Sequence, residues 1–565
     1  MHLGDDYTII FNGQIYNHTE LRKKHGLNCA THSDTETLLH LYRKCGSGML
    51  NELEGMFAFI IHDKKNNRLF VARDRAGKKP IYIYQKDDQV AFASELNTFR
   101  SFLPLTIQHE LMPHYLRFSF FYGANTPYKE VTELRLGSYV IYDIASKKLT
   151  IKNWWKINDH YQKETSKDSL GEAKGKVKQL LTAAIKRRLD CSDLEVGAFL
   201  SGGIDSGLIT AIASSFKPDL KTFTVRFPGA FDESYLAKQV AEKYGTKHTE
   251  IDIGFDNLLQ DLETIILNYG EPYADSSAIP SYYVSKEAKK YLTVILNGDG
   301  ADELFGGYRR YVPFSKYDFF ASKGGIAALA SVIRQILPHS HNKKSRLNYL
   351  YRLADLASKK NKISLYLTAT FDAFEGNEDK FLVDSDWQLQ ELFETEFCEI
   401  INAPISGLRK MMNLDFNVLL YGDLLVKMDI ATMAHSLEGR SPFLCKELLE
   451  YAPTLSDQLK IRGTTTKYLL RQLAAEYLPS SLINQPKRGF EVPLKNWIDN
   501  DIRELVFDYL TPASSYSNQF LHPSFIEKLL KKKIHISDEK RAKMLWAMLC
   551  LEIWYAGQAS TNVEI

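Results

Sequence analysis

The chain has 565 residues, of which 44% are hydrophobic, and 71 basic side chains against 69 acidic ones leave a formal net charge of +2. That length calls for at least two domains with sizeable cores, and the balanced charge, spread along the chain, argues against a nucleic-acid partner. The six cysteines form no C-x-x-C pair, which argues against a zinc site or a disulfide framework and suits a reducing, cytoplasmic setting; no stretch has the length or apolarity of a membrane span.

Residues 1–150 read as β-rich. Tyr7–Phe11 is a strand ended by the turn residues Asn12-Gly13, and Asp34–Lys44 is an amphipathic helix. Met56–His62 and Arg68–Arg73 flank the turn Lys65-Asn66-Asn67 as a hairpin, with further strands at Ile81–Tyr84, Val90–Ala93 and Ser138–Tyr142. This is the pattern of a layered α+β domain. Residues 151–169, with Asn153-Trp154-Trp155-Lys156, are polar and aromatic and read as a linker. From Leu170 to the C-terminus, residues 170–565, a helix is followed by alternating strands and helices. The strands are expected at Val196–Leu200, Lys221–Phe227, Thr249–Ile253 and Leu292–Leu296, the signature of an α/β domain with a parallel sheet, and the remainder is mostly helical.

The segment Val196–Ala211 carries the strongest chemical signal. An apolar strand ends in Ser201-Gly202-Gly203, and Asp205-Ser206 opens an apolar helix. Such a loop aims backbone N–H groups at the positive end of a helix, where phosphates bind, and the two glycines allow close approach. Ser201 and Ser206 add hydroxyls, and Asp205 beside phosphate calls for a bridging Mg²⁺. No lysine follows the glycines, so this is not a Walker loop. A second cluster follows another strand: Asn297-Gly298-Asp299-Gly300-Ala301-Asp302-Glu303 crowds three carboxylates at a helix start, which again requires a cation or an N-terminal dipole. Ligands of open α/β sheets bind at the carboxyl ends of strands, so Ser201 and Asn297 are expected to face one site.

The Ser201–Ser206 loop resembles the pyrophosphate-binding loop of the N-type ATP pyrophosphatases. With Gly298–Tyr308, Glu271–Ala278, Asp423–Asp429, Met433–Leu444 and Pro486–Phe490 in order, nearly the whole chain resembles the glutamine-dependent asparagine synthetases. The resemblance implies an ATP-pyrophosphatase synthetase domain over 170–565, in which ATP and aspartate form a β-aspartyl-adenylate that ammonia converts to asparagine and AMP. It implies that Ser201, Gly202, Gly203, Asp205 and Ser206 hold pyrophosphate and that Asp205 and Asp302 bind Mg²⁺. It further implies that Phe199, Val225, Asn297 and Gly298 line the nucleotide pocket, and that Asp299 and Lys487 are catalytic. Glu438 and Arg440 are open between aspartate recognition and a helix-end ion pair. A homodimer is the family's common state.

Tyr7–Asn17, Ser33–Glu36, Arg73–Pro80 and Phe92–Leu96 are similar to the family's class-II amidotransferase domain, of Ntn type, with Asn12, Gly13, Gln14 and Asp34 on glutamine; the family more often has Glu where this chain has Gln14. That family hydrolyses glutamine with an N-terminal cysteine, whereas this sequence opens Met1-His2 and its first cysteine is Cys29. The resemblance therefore implies a truncated front domain, 1–150, and use of free ammonia by this chain. An internal methionine of a longer protein and a chain complete as written are the two accounts. The exposed sheet edges of a truncated domain favour the first. Amidation of another carboxylate, for instance on a surface sugar, and a non-catalytic nucleotide-binding role remain as alternatives to asparagine synthesis.

Overall fold

The computed structural model describes residues 1–226, 234–252, 258–315, 330, 332–333, 354, 357, 362–371, 373–375, 377–382, 385–485 and 492–559. Lys487 and the rest of Pro486–Phe490 lie outside the described residues, as do Phe227 and Ile253 at the ends of two expected strands.

The N-terminal part holds two antiparallel sheets. The larger has the order β1-β2-β3-β4-β8-β9 and the smaller β6-β5-β7. The strands are β1 (His2–Leu3), β2 (Tyr7–Ile15), β3 (Gly55–Asp63), β4 (Arg68–Arg73), β5 (Tyr82–Lys86), β6 (Gln89–Ala93), β7 (Val131–Glu133), β8 (Ser138–Asp143) and β9 (Lys148–Asn153). Alternation along the strands builds two apolar layers. Phe57, Phe59, Ile61, Phe70 and Ala72 face the helix Asp34–Cys45 with its Leu38, Leu39 and Leu41. Ala58, Val71 and Val140 face the other way, onto Ile81, Ile83 and Leu134. Ser33 caps the helix by accepting from the Thr35 N–H.

One expected boundary is corrected here, and one stretch is more packed than its composition suggests. Strand β2 does not end at Asn12-Gly13 but runs to Ile15, because β3 pairs with it along its whole length, Gly13 opposite Phe57. Gly13 is required there: its φ is +141°, and a Cβ would lie 2.1 Å from the Met56 carbonyl oxygen. The stretch 151–169, expected to be linker, begins inside β9, and the short helix Ile157–Tyr161 that follows is buried together with Trp155. Of the aromatic residues that marked the stretch as unusual, Trp155 and Tyr161 are core residues and Trp154 packs against the core partly buried.

The C-terminal part is built on a parallel sheet of order β12-β11-β10-β13-β14, comprising β10 (Val196–Phe199), β11 (Lys221–Arg226), β12 (Lys247–Asp252), β13 (Val294–Leu296) and β14 (Glu438–Arg440). The order runs outward from β10 in one direction and from β13 in the other, so the chain reverses its winding between these two neighbours. A crevice opens at such a switch point, at the carboxyl ends of the strands. Helices Leu170–Asp190, Ile204–Ser214 and Ala278–Ala288 pack around the sheet, the first with a Ser169/Glu172 capping box. The C-terminal helix Asp538–Ala559 buries Met544 through Leu551 and Trp554 in a second core that also takes in Tyr82, Leu96 and Tyr115 of the N-terminal part. The two parts therefore share apolar cores. Among the described residues no helix is long and apolar enough to cross a membrane.

Candidate active site

The switch point is occupied by a cleft of about 410 Å³. Ala198 of β10 pairs with Leu296 of β13, so the residues that follow each strand, Ser201 and Asn297, open onto the same space. Phe199, Ser201, Asp205, Ser206, Val225, Asn297, Gly298, Asp299 and Asp302 all line it. Nine positions chosen from three separate segments thus converge on one cavity. Gly202 and Gly203 belong to the loop that forms its rim.

The loop is held by its own hydroxyls. Ser206 Oγ accepts from the Ser201 N–H at 3.1 Å and lies 2.9 Å from Ser201 Oγ, while the Gly203 N–H donates to Ser201 Oγ at 3.2 Å. Gly203 is extended, φ −91°, and caps the helix Ile204–Ser214, whose first-turn residues Asp205 and Ser206 line the cleft. Gly298 sits close to the loop: a Cβ there would lie 3.2 Å from the Asp205 Cβ, a tight contact.

The acidic turn has a partner that the sequence did not disclose. Lys467 Nζ lies 2.5 Å from Asp205 Oδ2 and 2.7 Å from Asp302 Oδ1, and its side chain is almost fully buried. Lys467 has φ 51° at the start of the helix Tyr468–Ala474, and its N–H donates to the Gly306 carbonyl at 3.0 Å. A non-glycine residue in the left-handed region costs on the order of 1–2 kcal/mol, which the double ion pair offsets. Gly307 leaves the room for this arrangement: a Cβ there would lie 1.7 Å from Asp302 Oδ1 and 2.5 Å from Lys467 Cε. Asp205 Oδ1 is buried with no hydrogen-bond partner among the described residues.

Glu303 is buried beneath Asp302, and burial together with the Asp302 charge pushes its carboxyl up to about 7; the Tyr308 hydroxyl donates to it. Elsewhere in the lining Lys427 donates to Asp275 at 2.7 Å and to Ser277 Oγ at 2.8 Å. Burial alone would raise the Asp275 pKa, but the Lys427 ammonium holds it below the usual value. Burial, then repulsion from Asp275, pushes Asp423 up to about 8. The sequence had marked the Glu271–Ala278 and Asp423–Asp429 segments only as resemblance.

Other expected residues fall elsewhere. Glu438 and Arg440 stand on β14, not at a helix end. Arg440 is spent on Glu438 and on the Arg188 carbonyl, and neither lines the cleft. Asn12, Gly13 and Gln14 lie on β2 in the N-terminal part, where Asn12 Nδ2 donates to Ser94 Oγ at 3.3 Å. Asp34 joins them by accepting from the Ile15 N–H at 2.9 Å, and burial raises its pKa. Cys29 lies before that helix with its thiol raised by burial.

The model of the asparagine synthase family matches residues 176–556, and that of the glutamine amidotransferase domain matches residues 1–155. The chain is 34% identical over 572 residues to the glutamine-hydrolysing asparagine synthetase 1 of Bacillus subtilis, covering 99% of this chain and 86% of that protein. It is 28% identical over 571 residues to synthetase 3 of the same organism, covering 96% and 84%. Against the glutamine-hydrolysing asparagine synthetase B of Escherichia coli it is 29% identical over 323 residues, covering 54% and 52%. With a synthase domain built around the cleft and an amidotransferase domain in front of it, the chain belongs to the family of glutamine-hydrolysing asparagine synthetases.

Proposed function

We propose that the chain amidates L-aspartate to L-asparagine at the β10/β13 cleft, with ATP cleaved to AMP and pyrophosphate. The observation that carries this reading is the convergence of the Ser201–Ser206 loop and the Asp299–Glu303 turn on one cavity, with the buried Lys467 paired to Asp205 and Asp302 of its lining. The first-turn N–H groups after Gly203 would take the β- and γ-phosphates. A carboxylate oxygen of aspartate then attacks the α-phosphorus as the Pα–O–Pβ bond breaks, and negative charge grows on the departing pyrophosphate. Lys467, buried against Asp205 and Asp302 beside the loop, would lie near that charge, and a fixed cation in a site shielded from water is an effective stabiliser.

Asp205 and Asp302 would hold Mg²⁺. The buried, unpartnered Asp205 Oδ1 fits such a role, because a hard cation takes carboxylate and phosphate oxygens together. The ion would neutralise the phosphate oxygens as they leave. In the second half-reaction ammonia attacks the acyl carbon, the C–O bond to AMP breaks, and Asp299 at the cleft wall is placed to accept the surplus proton. Lys487 is retained as a second catalytic cation on its resemblance alone. In the front domain, Asn12, Gly13, Gln14 and Asp34 would bind glutamine; the two facing sheets have the layering that an Ntn-type domain uses. We divide the chain at 1–150, 151–169 and 170–565, with the middle segment a packed connection.

Incubation with ATP, Mg²⁺, aspartate and either ammonia or glutamine tests the reading, with AMP, pyrophosphate and asparagine measured. Turnover only with a different carboxylic acid would replace aspartate as the acceptor, and absence of pyrophosphate under all conditions would remove the catalytic reading.

A further inference from the structure

The loop Asp74–Lys79 leaves β4 and ends inside the synthase domain. The buried Asp74 carboxylate accepts from the N–H groups of Phe57, Ala76, Lys78 and Lys79 at 3.0–3.1 Å, which fixes the loop backbone. Gly77 completes the turn at φ +70°, so close to Tyr421 that a Cβ would lie 2.7 Å from its ring. Tyr421 belongs to a π-helical segment, Phe416–Leu424, of the synthase domain. The Arg73 guanidinium, at the base of the loop, donates to the Tyr421 hydroxyl at 2.9 Å.

Two consecutive lysines carry the contact further. Lys79 Nζ lies 2.7 Å from Asp429 Oδ1, and Lys78 Nζ lies 3.2 Å from Asp299 Oδ2; both lysine side chains are buried. Asp299 lines the cleft, and it also accepts from Ser441 Oγ across a long 3.4 Å. The carboxylate assigned to the reaction therefore receives its close cation from the other domain. The same loop is one strand pairing away from the proposed glutamine segment, because Phe57, which exchanges hydrogen bonds with Asp74, stands opposite Gly13.

We infer that Lys78 is a positioning residue for the synthase reaction: its ammonium holds the Asp299 carboxylate toward the cleft, so the ATP-dependent site is completed by a residue of the amidotransferase domain. The inference rests on the aspartate-amidating reading of the cleft. Among the described residues Lys78 is paired with Asp299 and with neither the Ser201–Ser206 loop nor Lys467, so it acts through Asp299. A buried ion pair left half-made leaves the remaining charge free to seek another orientation or another partner. The consequence is specific: Lys78 matters even when free ammonia replaces glutamine and the front domain has no chemistry to perform.

The test uses the full chain with ATP, Mg²⁺, aspartate and ammonium chloride, without glutamine, following pyrophosphate release. K78M keeps the length of the side chain and removes its charge; K78R keeps the charge. K79M breaks the neighbouring buried pair of the same loop without touching Asp299. In K78M, kcat should fall about 10- to 100-fold while KM for ATP and aspartate stays within about threefold, the split expected when an interaction specific to the transition state is lost. K78R should regain a substantial part of kcat, and K79M should lose less kcat than K78M for an equal or larger loss of thermal midpoint. Full kcat in K78M would overturn the inference, as would equal kcat losses in K78M, K78R and K79M that track their thermal midpoints. A wild-type chain that releases no pyrophosphate would overturn the reading of the cleft, and this inference with it.

Discussion

Lys467 and Asp302 form a buried ion pair at 2.7 Å, and the same ammonium lies 2.5 Å from Asp205, which follows a different strand. Two carboxylates from different strand ends thus share one cation. In K467M both would be left buried and uncompensated. Breaking such a pair costs about 3–5 kcal/mol, and the thermal midpoint should drop accordingly. Mg²⁺ should restore part of that loss, because it takes the place of the missing charge between the acids. Pyrophosphate release should fall at least ~10²-fold even with saturating Mg²⁺. A K467M chain with unchanged midpoint and turnover would remove Lys467 from the site.

Asp205→Ala should abolish pyrophosphate release, since it removes both a proposed metal ligand and one arm of the Lys467 pair. Asp205→Asn separates the two roles. It keeps the shape but loses the charge, and should raise the Mg²⁺ concentration needed for half-maximal activity about tenfold or more. Normal release in Asp205→Ala would rule out the metal assignment.

How far these contacts could be read in advance differs sharply from residue to residue. Ser201 and Asn297 were placeable because each follows an apolar strand directly, and the parallel alternation of strands and helices puts strand ends on one edge. Lys467 follows Gly463-Thr464-Thr465-Thr466 and is itself neither glycine nor asparagine, so nothing local marks it for the left-handed conformation that its tertiary partners impose. Lys427 and Asp275 meet across 152 residues, a pairing that no local pattern encodes. Asn12-Gly13 carried a turn signal, yet the pairing with β3 overrode it, and the same glycine proved necessary for a different reason, close backbone approach. The aromatic residues at 154–161 suggested a linker by composition because their partners, among them Phe416 beside Trp155, come from distant segments.

Gly307→Ala tests whether the fit around Asp302 matters by itself. The added methyl would collide with Asp302 Oδ1 and Lys467 Cε, so the ion pair must shift. Overpacking of this kind costs typically about 1–3 kcal/mol, and the displaced carboxylate should lower turnover by at least about tenfold. Unchanged kinetics would mean that the Asp302 position is not critical.

Glu303 gives the site a pH signature. Its carboxyl is pushed up to about 7 in the folded chain by burial and by Asp302, against about 4.3 for an unfolded glutamate. Between these values the native state binds the extra proton. The resulting stabilisation is complete below the unfolded value and is lost as pH rises through about 7. The thermal midpoint of ligand-free wild type should therefore decline from about pH 5 to about pH 7.5 more steeply than that of Glu303→Gln. Identical slopes would place this titration elsewhere.

The most direct measurement is the product balance of the purified chain with ATP, Mg²⁺, aspartate and ammonia. AMP, pyrophosphate and asparagine should appear in equal amounts, with none formed when aspartate is omitted and at least ~10²-fold less when Lys467 is replaced by methionine. Formation of ADP and phosphate instead, or AMP release that ignores aspartate, would contradict a cleft built to drive α–β cleavage onto that substrate.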